Sequence, residues 1–387
     1  MKKILISTGE LSGDMYAGKL IQSIHHLDPS ISFIGMGHQH MRNAGARILA
    51  DLSTQSTIGF IEPIKFIPKI LSAYAKMKTA LTTESPDLLI LIDYQGFNMR
   101  LAKAAKKQGI PVIYYISPQE WQWGSEKGGQ NVIQNTDKIL SIFPSEASFY
   151  NQLSPGHATY VGHPILDAIT ITANRTQLYH KLNISSDKKI ISVFPGSRSQ
   201  EIRHLLPIFL TVIQQLAQRF SDIAFVLSIA TDRYKKSIQD LVSQYKLDKS
   251  VTLYSGNPHN LIAHTTLSIV SSGTITLEHA CIGTPFIANY KFGRLSYFIA
   301  KLLVGKKFKK IKYISLPNIL SGKQIAPEFL QDDCTAENIV SMTHILLSES
   351  HKYQKIQSDL LEIKHKLGPG NVTENAAKAV LNSACLV

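Results

Sequence analysis

Short, almost wholly apolar runs alternate along this chain with longer segments whose apolar positions recur every three or four residues. That is the pattern of strands buried on both faces and of helices covering them. In the first part, Lys3 to Ser7, Ser32 to Met36, Asp87 to Ile92, Pro111 to Ile116, Lys138 to Phe143 and the stretch around Thr159 to Val161 predict strands. Helices are predicted from Met15 to Leu27, Met41 to Ala46, Met99 to Gln108 and after Pro144. The alternation then starts again. Strands are predicted at Ile190 to Phe194, Ile223 to Ile229, Val251 to Tyr254, Leu267 to Val270 and Pro285 to Asn289, with helices from Ile202 to Arg219, Lys235 to Tyr245 and around Leu261 to Ala263. Strands separated by helices imply an α/β fold with parallel, doubly wound sheets. Two such series place Rossmann-like domains at 1–165 and 166–345, with helices over 346–387 packing back on the first domain or on a partner subunit.

One segment departs from the alternation. Between Ile58 and Lys78, Ile64, Ile67, Leu71 and Tyr74 form an apolar stripe with Lys65, Lys69, Lys76 and Lys78 between them, and Pro63 and Pro68 argue against a single continuous helix. Such a stripe suits a lipid headgroup layer, or ordinary packing on its own sheet. Charge sharpens the choice: 41 Lys+Arg against 28 Asp+Glu give the 387 residues a net charge of +13. Nucleic acid, anionic lipid and phosphorylated substrates all fit that balance. Six lysines between Lys301 and Lys312, Lys306 and Lys307 among them, are interleaved with apolar residues, which favours an anionic membrane surface; an RNP-type aromatic motif is absent. No run approaches the roughly 18–20 apolar residues of a spanning helix, so membrane contact is expected to be peripheral. Cys281, Cys334 and Cys385 form no CxxC, which indicates neither a disulfide framework nor a zinc site.

Candidate chemistry sits in the turns after the strands. Phe194-Pro195-Gly196-Ser197-Arg198 leads from a strand into a helix, placing Gly196, Ser197 and a guanidinium where helix N–H groups attract phosphate. A capping box of Ser197 with Gln200 and a solvated Arg198 is the structural alternative. Asp93 ends a continuous apolar strand, at the edge where doubly wound sheets bind ligands. Gly9-Glu10-Leu11-Ser12-Gly13-Asp14 is a glycine-bearing turn without GxGxxG or Walker A spacing, and Ser12 suits its helix as N-cap. Ser272-Gly273-Thr274 opens another helix, in which Glu278 could accept hydrogen bonds from a ribose diol. Trp121 and Trp123 stand at a strand end, and His163 in Gly-His-Pro suits a turn better than catalysis.

Taken together these features look like a GT-B nucleotide-sugar glycosyltransferase, two Rossmann-like domains facing across a cleft. In order, the Gly9–Asp14 turn, Ile92–Asn98, Trp121-Gln122-Trp123, Val161–Pro164, Phe194–Arg198, Ser272–Thr274 with Glu278, and Ser315-Leu316-Pro317-Asn318 resemble the lipid-A-disaccharide synthase family over roughly residues 4–345. The resemblance implies transfer of 2,3-diacylglucosamine from its UDP conjugate to 2,3-diacylglucosamine 1-phosphate, without metal or cofactor, at the cytoplasmic face of the inner membrane. It implies Asp93 as the essential acid, with Glu10, Ser12 and Asp14 bordering the reacting centre. Arg198 and Glu278 would hold UDP, and Asn318, Glu328 and Gln331 would line the donor pocket. Gln95 stands where the family usually has Pro, and Gly124 where it often has Arg. The rival readings are another UDP-sugar enzyme of this fold, an epimerase or a soluble glycosyltransferase, and a basic nucleic-acid-binding protein. Monomer and homodimer both remain open.

Overall fold

The structure, a computed structural model, describes residues 2–52, 62–122, 124–291, 293 and 312–383, with side chains omitted for 62–66. Trp123, Lys306, Lys307 and the side chain of Ile64 therefore lie outside the described residues. Within them the chain divides into two compact units, 2–52 with 63–168 and 367–383, and 169–366. The expected C-terminal helical block is thus divided. The helix Ser350–Lys366 belongs to the second unit, whereas Val372–Ser383 packs on the helix Leu11–Leu27 of the first.

The first unit is built on a seven-stranded parallel sheet: β1 (Lys3–Thr8), β2 (Ser32–Met36), β3 (Arg47–Ala50), β4 (Leu88–Ile92), β5 (Val112–Tyr115), β6 (Lys138–Ser141) and β7 (Ala158–Tyr160), in the order β3-β2-β1-β4-β5-β6-β7. Every residue of β4 is buried, as helices on both faces require. The second unit has six parallel strands: β8 (Lys189–Phe194), β9 (Ile223–Ser228), β10 (Val251–Tyr254), β11 (Leu267–Ser271), β12 (Phe286–Tyr290) and β13 (Glu328–Leu330), ordered β10-β9-β8-β11-β12-β13. In each sheet the chain builds outward from one strand, then returns and builds the other way. The order reverses between β1 and β4 and between β8 and β11, and a crevice opens at the carboxyl ends of strands at such a point.

The lysine-fringed segment differs from its expectation. Glu62–Thr83 is one helix with Pro68 inside it. Pro63 falls in the first turn, where an N–H has no partner to lose, and Pro68 costs the helix one backbone bond that the packing of Ala73, Met77, Ala80 and Leu81 offsets. Tyr74 also turns inward, edge-on to Phe97 with ring centroids 5.6 Å apart. Ile67 and Leu71 stay out, 46% and 56% exposed and one helical turn apart.

Candidate active site

Glu10 and Asp93 fall at the reversal point of the first sheet, and Ser197, Arg198, Ser272 and Gly273 at that of the second. Thr8 of β1 pairs with Ile92 of β4, so Glu10 and Asp93 leave adjacent strands side by side at the carboxyl edge. Tyr94 links them: its ring fills the space a Cβ on Gly9 would need, at 2.4 Å, and burial and then the negative charge of Glu10 push its phenol above the ordinary range. Asp93, Tyr94 and Ile116 all have positive φ, at 50°, 50° and 60°. Each such residue costs roughly 1–3 kcal/mol and persists only where its surroundings over-determine it. Here the surroundings are visible. The Asp93 carbonyl accepts from Tyr114 Oη and Asn98 Nδ2, both at 2.7 Å, and its amide donates to Ile116 O at 3.2 Å. Asn98, fully buried, also accepts from Ser7 Oγ at 2.6 Å. The backbone of Asp93 is pinned from β1, β5 and its own helix, while its side chain is exposed.

Asp14 is a different kind of acid. It is 1% exposed, and its carboxylate accepts backbone N–H bonds from His38, His40 and Met41 at 2.6, 2.8 and 3.3 Å. That anchors the turn into the helix Gln39–Asn43 and leaves the carboxylate little capacity for a substrate. Ser12 does not cap its helix, because Leu11–Leu27 starts earlier and Glu10 is its N-cap. His163 fixes a turn, its Nδ1 accepting from Ile165 N at 3.1 Å, and burial holds its imidazole neutral by lowering its pKa to about 3.

Glu146, in the first turn of the helix Pro144–Leu153, is a further acid at this edge. It is buried, its carboxyl pushed up to about 7 by burial against the lowering effect of the Ser117 hydroxyl, which donates at 2.6 Å, and of the Ile142 and Phe143 amides. Its partners make it a brace between the loops after β5 and β6. Trp121 is half-buried against Phe143, ring centroids 5.6 Å apart. Gln95 and Gly124, the two departures noted above, meet at one group. The Gln95 amide donates to Glu120 at 2.8 Å, and a Cβ on Gly124 would stand 1.8 Å from the same carboxylate.

In the second unit Val270 of β11 pairs with Phe194 of β8, which brings the Ser197-Arg198 turn beside Ser272-Gly273. The Ser197–Gln200 box of the alternative reading is not formed. The helix runs Ser199–Arg219, and Glu201 accepts from Ser197 N at 3.0 Å, Arg198 N at 3.3 Å and Arg198 Nη1 at 3.2 Å. A guanidinium held this way is fixed in direction before any anion arrives. Gly196, at φ 112°, is required because a Cβ there would meet the Glu201 carboxylate at 2.2 Å.

Asn318 and Glu328 are both engaged within the second unit. Asn318 is fully buried; its Oδ1 accepts from Ile325 N and Ala326 N and its Nδ2 donates to Ala326 O and Glu328, all within 2.7–2.9 Å. Four bonds use the whole capacity of an amide side chain. Glu328 further accepts from Ile314 N and Ser315 N, both at 2.8 Å, and from the Ser315 hydroxyl. Ser272 Oγ donates to Ile314 O at 2.6 Å. These residues hold the loop before helix Leu316–Ser321 against the ends of β11 and β13. Asn318→Ala should therefore destabilise the protein by about 2–4 kcal/mol, from amides left without acceptors. Urea unfolding measures it; full stability with a weakened donor KM would instead make Asn318 a ligand contact. Gln331, at φ 54° and 7% exposed, lies just beyond β13.

A family model described as Lipid-A-disaccharide synthetase matches residues 4–382. The chain belongs to this family. Lipid-A-disaccharide synthase of Geobacter sulfurreducens is 34% identical over 379 residues, covering 98% of this chain and 96% of that one. The synthase of Sulfurihydrogenibium is 35% identical over 390 residues, with 98% of each chain covered. Among solved structures, S. aureus MnaA with UDP superposes with a TM-score of 0.67 at 12% identity, covering 100% and 98% of the two chains. UDP-GlcNAc 2-epimerase from Neisseria meningitidis bound to UDP-GlcNAc gives 0.65 at 15%, covering 99% and 100%. At such identities the likeness is one of fold, GT-B, while the family assignment makes this enzyme a glycosyltransferase of lipid A disaccharide synthesis rather than an epimerase. Among the described residues no helix is long and apolar enough to cross a membrane, and no cluster of His, Cys, Asp or Glu could hold a metal ion.

Proposed function

We propose that the enzyme transfers 2,3-diacylglucosamine from its UDP conjugate to the 6-hydroxyl of 2,3-diacylglucosamine 1-phosphate, inverting the anomeric carbon to give a β-1,6 linkage and UDP. The observation that carries the reading is Asp93: an exposed carboxylate on an over-determined, strained backbone at the reversal point of the first sheet. As the hydroxyl oxygen attacks, its proton passes to Asp93 and the electron pair of the anomeric C–O bond leaves with the diphosphate. Arg198 and the Ser199–Arg219 helix N-terminus supply positive potential for that departing charge, and Glu278 takes the ribose diol. Glu10 borders Asp93, and Asp14 keeps the neighbouring loop in place. Incubation with both lipid substrates tests the reading by mass spectrometry: disaccharide and UDP in equal amounts support it, and UDP without disaccharide refutes it.

Both substrates carry acyl chains, so the enzyme must work at a lipid surface. Ile67 and Leu71, with exposed Lys69 and Lys76 close by, are suited to insertion among anionic headgroups at the inner face of the inner membrane. The double variant Ile67→Ser, Leu71→Ser should move the protein from anionic vesicles to the supernatant on sedimentation. Its thermal unfolding should be unchanged, because neither side chain is part of the core. Undiminished vesicle binding would remove this helix from the membrane contact.

A further inference from the structure

Glu278 has an unusual environment for a residue meant to receive a ligand. It lies one turn inside the helix Thr274–Ile282, and its Oε2 is buried without a hydrogen-bond partner. His259 lies beside it, its Nε2 3.5 Å from that oxygen, with the two side chains 11% and 16% exposed. That separation is beyond ordinary hydrogen-bond length but close enough to orient a carboxylate. The other ring nitrogen decides which way the proton points. Nδ1 of His259 accepts the Thr170 amide N–H at 3.2 Å, so it carries no proton, and in the neutral ring the hydrogen must sit on Nε2, facing Glu278.

The imidazole is itself held firmly. His259 N donates to Asn257 Oδ1 at 2.9 Å, Asn257 Nδ2 donates to Thr170 O at 2.7 Å, and Asn260 Oδ1 accepts from Thr172 N at 2.7 Å and Ala173 N at 3.1 Å. Asn257, His259 and Asn260, the N-cap and first turn of the helix Pro258–His264, thus clamp the segment Thr170–Ala173 at the start of the second unit, and the same clamp fixes the ring's tautomer. We propose that His259 is a positioning residue for donor recognition, its Nε2–H holding the Glu278 carboxylate in the rotation that accepts a ribose diol. This rests on the assignment of a UDP-linked donor made above. When the diol binds, its hydroxyls supply the donors that the carboxylate lacks, and His259 keeps Glu278 aimed at them in the free enzyme.

Calorimetry of UDP and 2′-deoxy-UDP tests the idea with a ratio that general loss of structure would not move. Wild type should bind UDP about tenfold more tightly than the deoxy nucleotide, the worth of one charge-assisted hydrogen bond. In His259→Leu that ratio should fall to about one, and in His259→Gln, whose amide N–H reaches the place of Nε2, it should partly return. Added to Glu278→Gln, His259→Leu should change nothing further in the ratio. Equal weakening of both nucleotides with the ratio preserved overturns the proposal, as does a wild type indifferent to the 2′-hydroxyl. A wild type that binds neither nucleotide overturns the donor assignment itself.

Discussion

Asp93→Asn should lower turnover by about 10²–10⁴-fold, the usual worth of a positioned acid or base, while leaving UDP affinity as it is. The substitution keeps shape and hydrogen bonding but cannot accept the acceptor's proton. The backbone around it should not relax, because Tyr114 and Asn98 hold the carbonyl and Ile116 the amide of residue 93, none through the side chain that changes. UDP affinity should survive because the groups assigned to the nucleotide belong to the second sheet. Of the other acids at this edge, Asp14 is committed to three amides, Glu146 is buried in a brace and Glu120 is held by Gln95 and the Ser125 amide, so Glu10 is the competitor. Near-normal turnover in Asp93→Asn together with its loss in Glu10→Gln would transfer the base to Glu10.

Arg198→Ala should raise the donor KM and lower turnover, with a combined loss in kcat/KM of about 10–10²-fold, as expected for removing one charge-assisted contact to a departing diphosphate. The pairing with Glu201 adds a second consequence. Without the guanidinium, Glu201 remains 5% exposed beside the Ser197 and Arg198 amides, an uncompensated negative charge next to where phosphate must come. The double variant Arg198→Ala, Glu201→Gln should therefore recover part of the lost affinity. Calorimetric UDP binding that is unchanged in Arg198→Ala would return Arg198 to a purely structural partner of Glu201.

Much of the architecture was legible in the chain because its strands are buried on both faces. Leu88–Ile92 can read as little other than an interior strand, and Pro195-Gly196-Ser197 as little other than a turn, since both signals are carried by adjacent residues. The two strands left unread, β3 and β13, are the short edge strands of 4 and 3 residues. Arg47–Ala50 carries three apolar residues and Glu328–Leu330 two, too short a run to stand out from the segments around them. Pro68 misled for the converse reason: a local rule against proline in helices was overridden by packing around Met77 and Leu81.

The candidate site divides along the same line. That Asp93, Arg198 and Glu278 follow strands and open helices is written in sequence, because turn and cap chemistry is local. Which carboxylates are free to meet a substrate is not. The amides that occupy Asp14 lie 24–27 residues away, and those that Asn318 and Glu328 accept from lie 7–14 residues away, across the loop and helix that precede β13. His259 receives its tautomer from Thr170, 89 residues earlier. The chain's own pattern determined two wound sheets and the strand ends where ligands bind. The folded structure alone decided which polar groups there are consumed by backbone and which remain, because hydrogen-bond satisfaction depends on neighbours that the sequence separates.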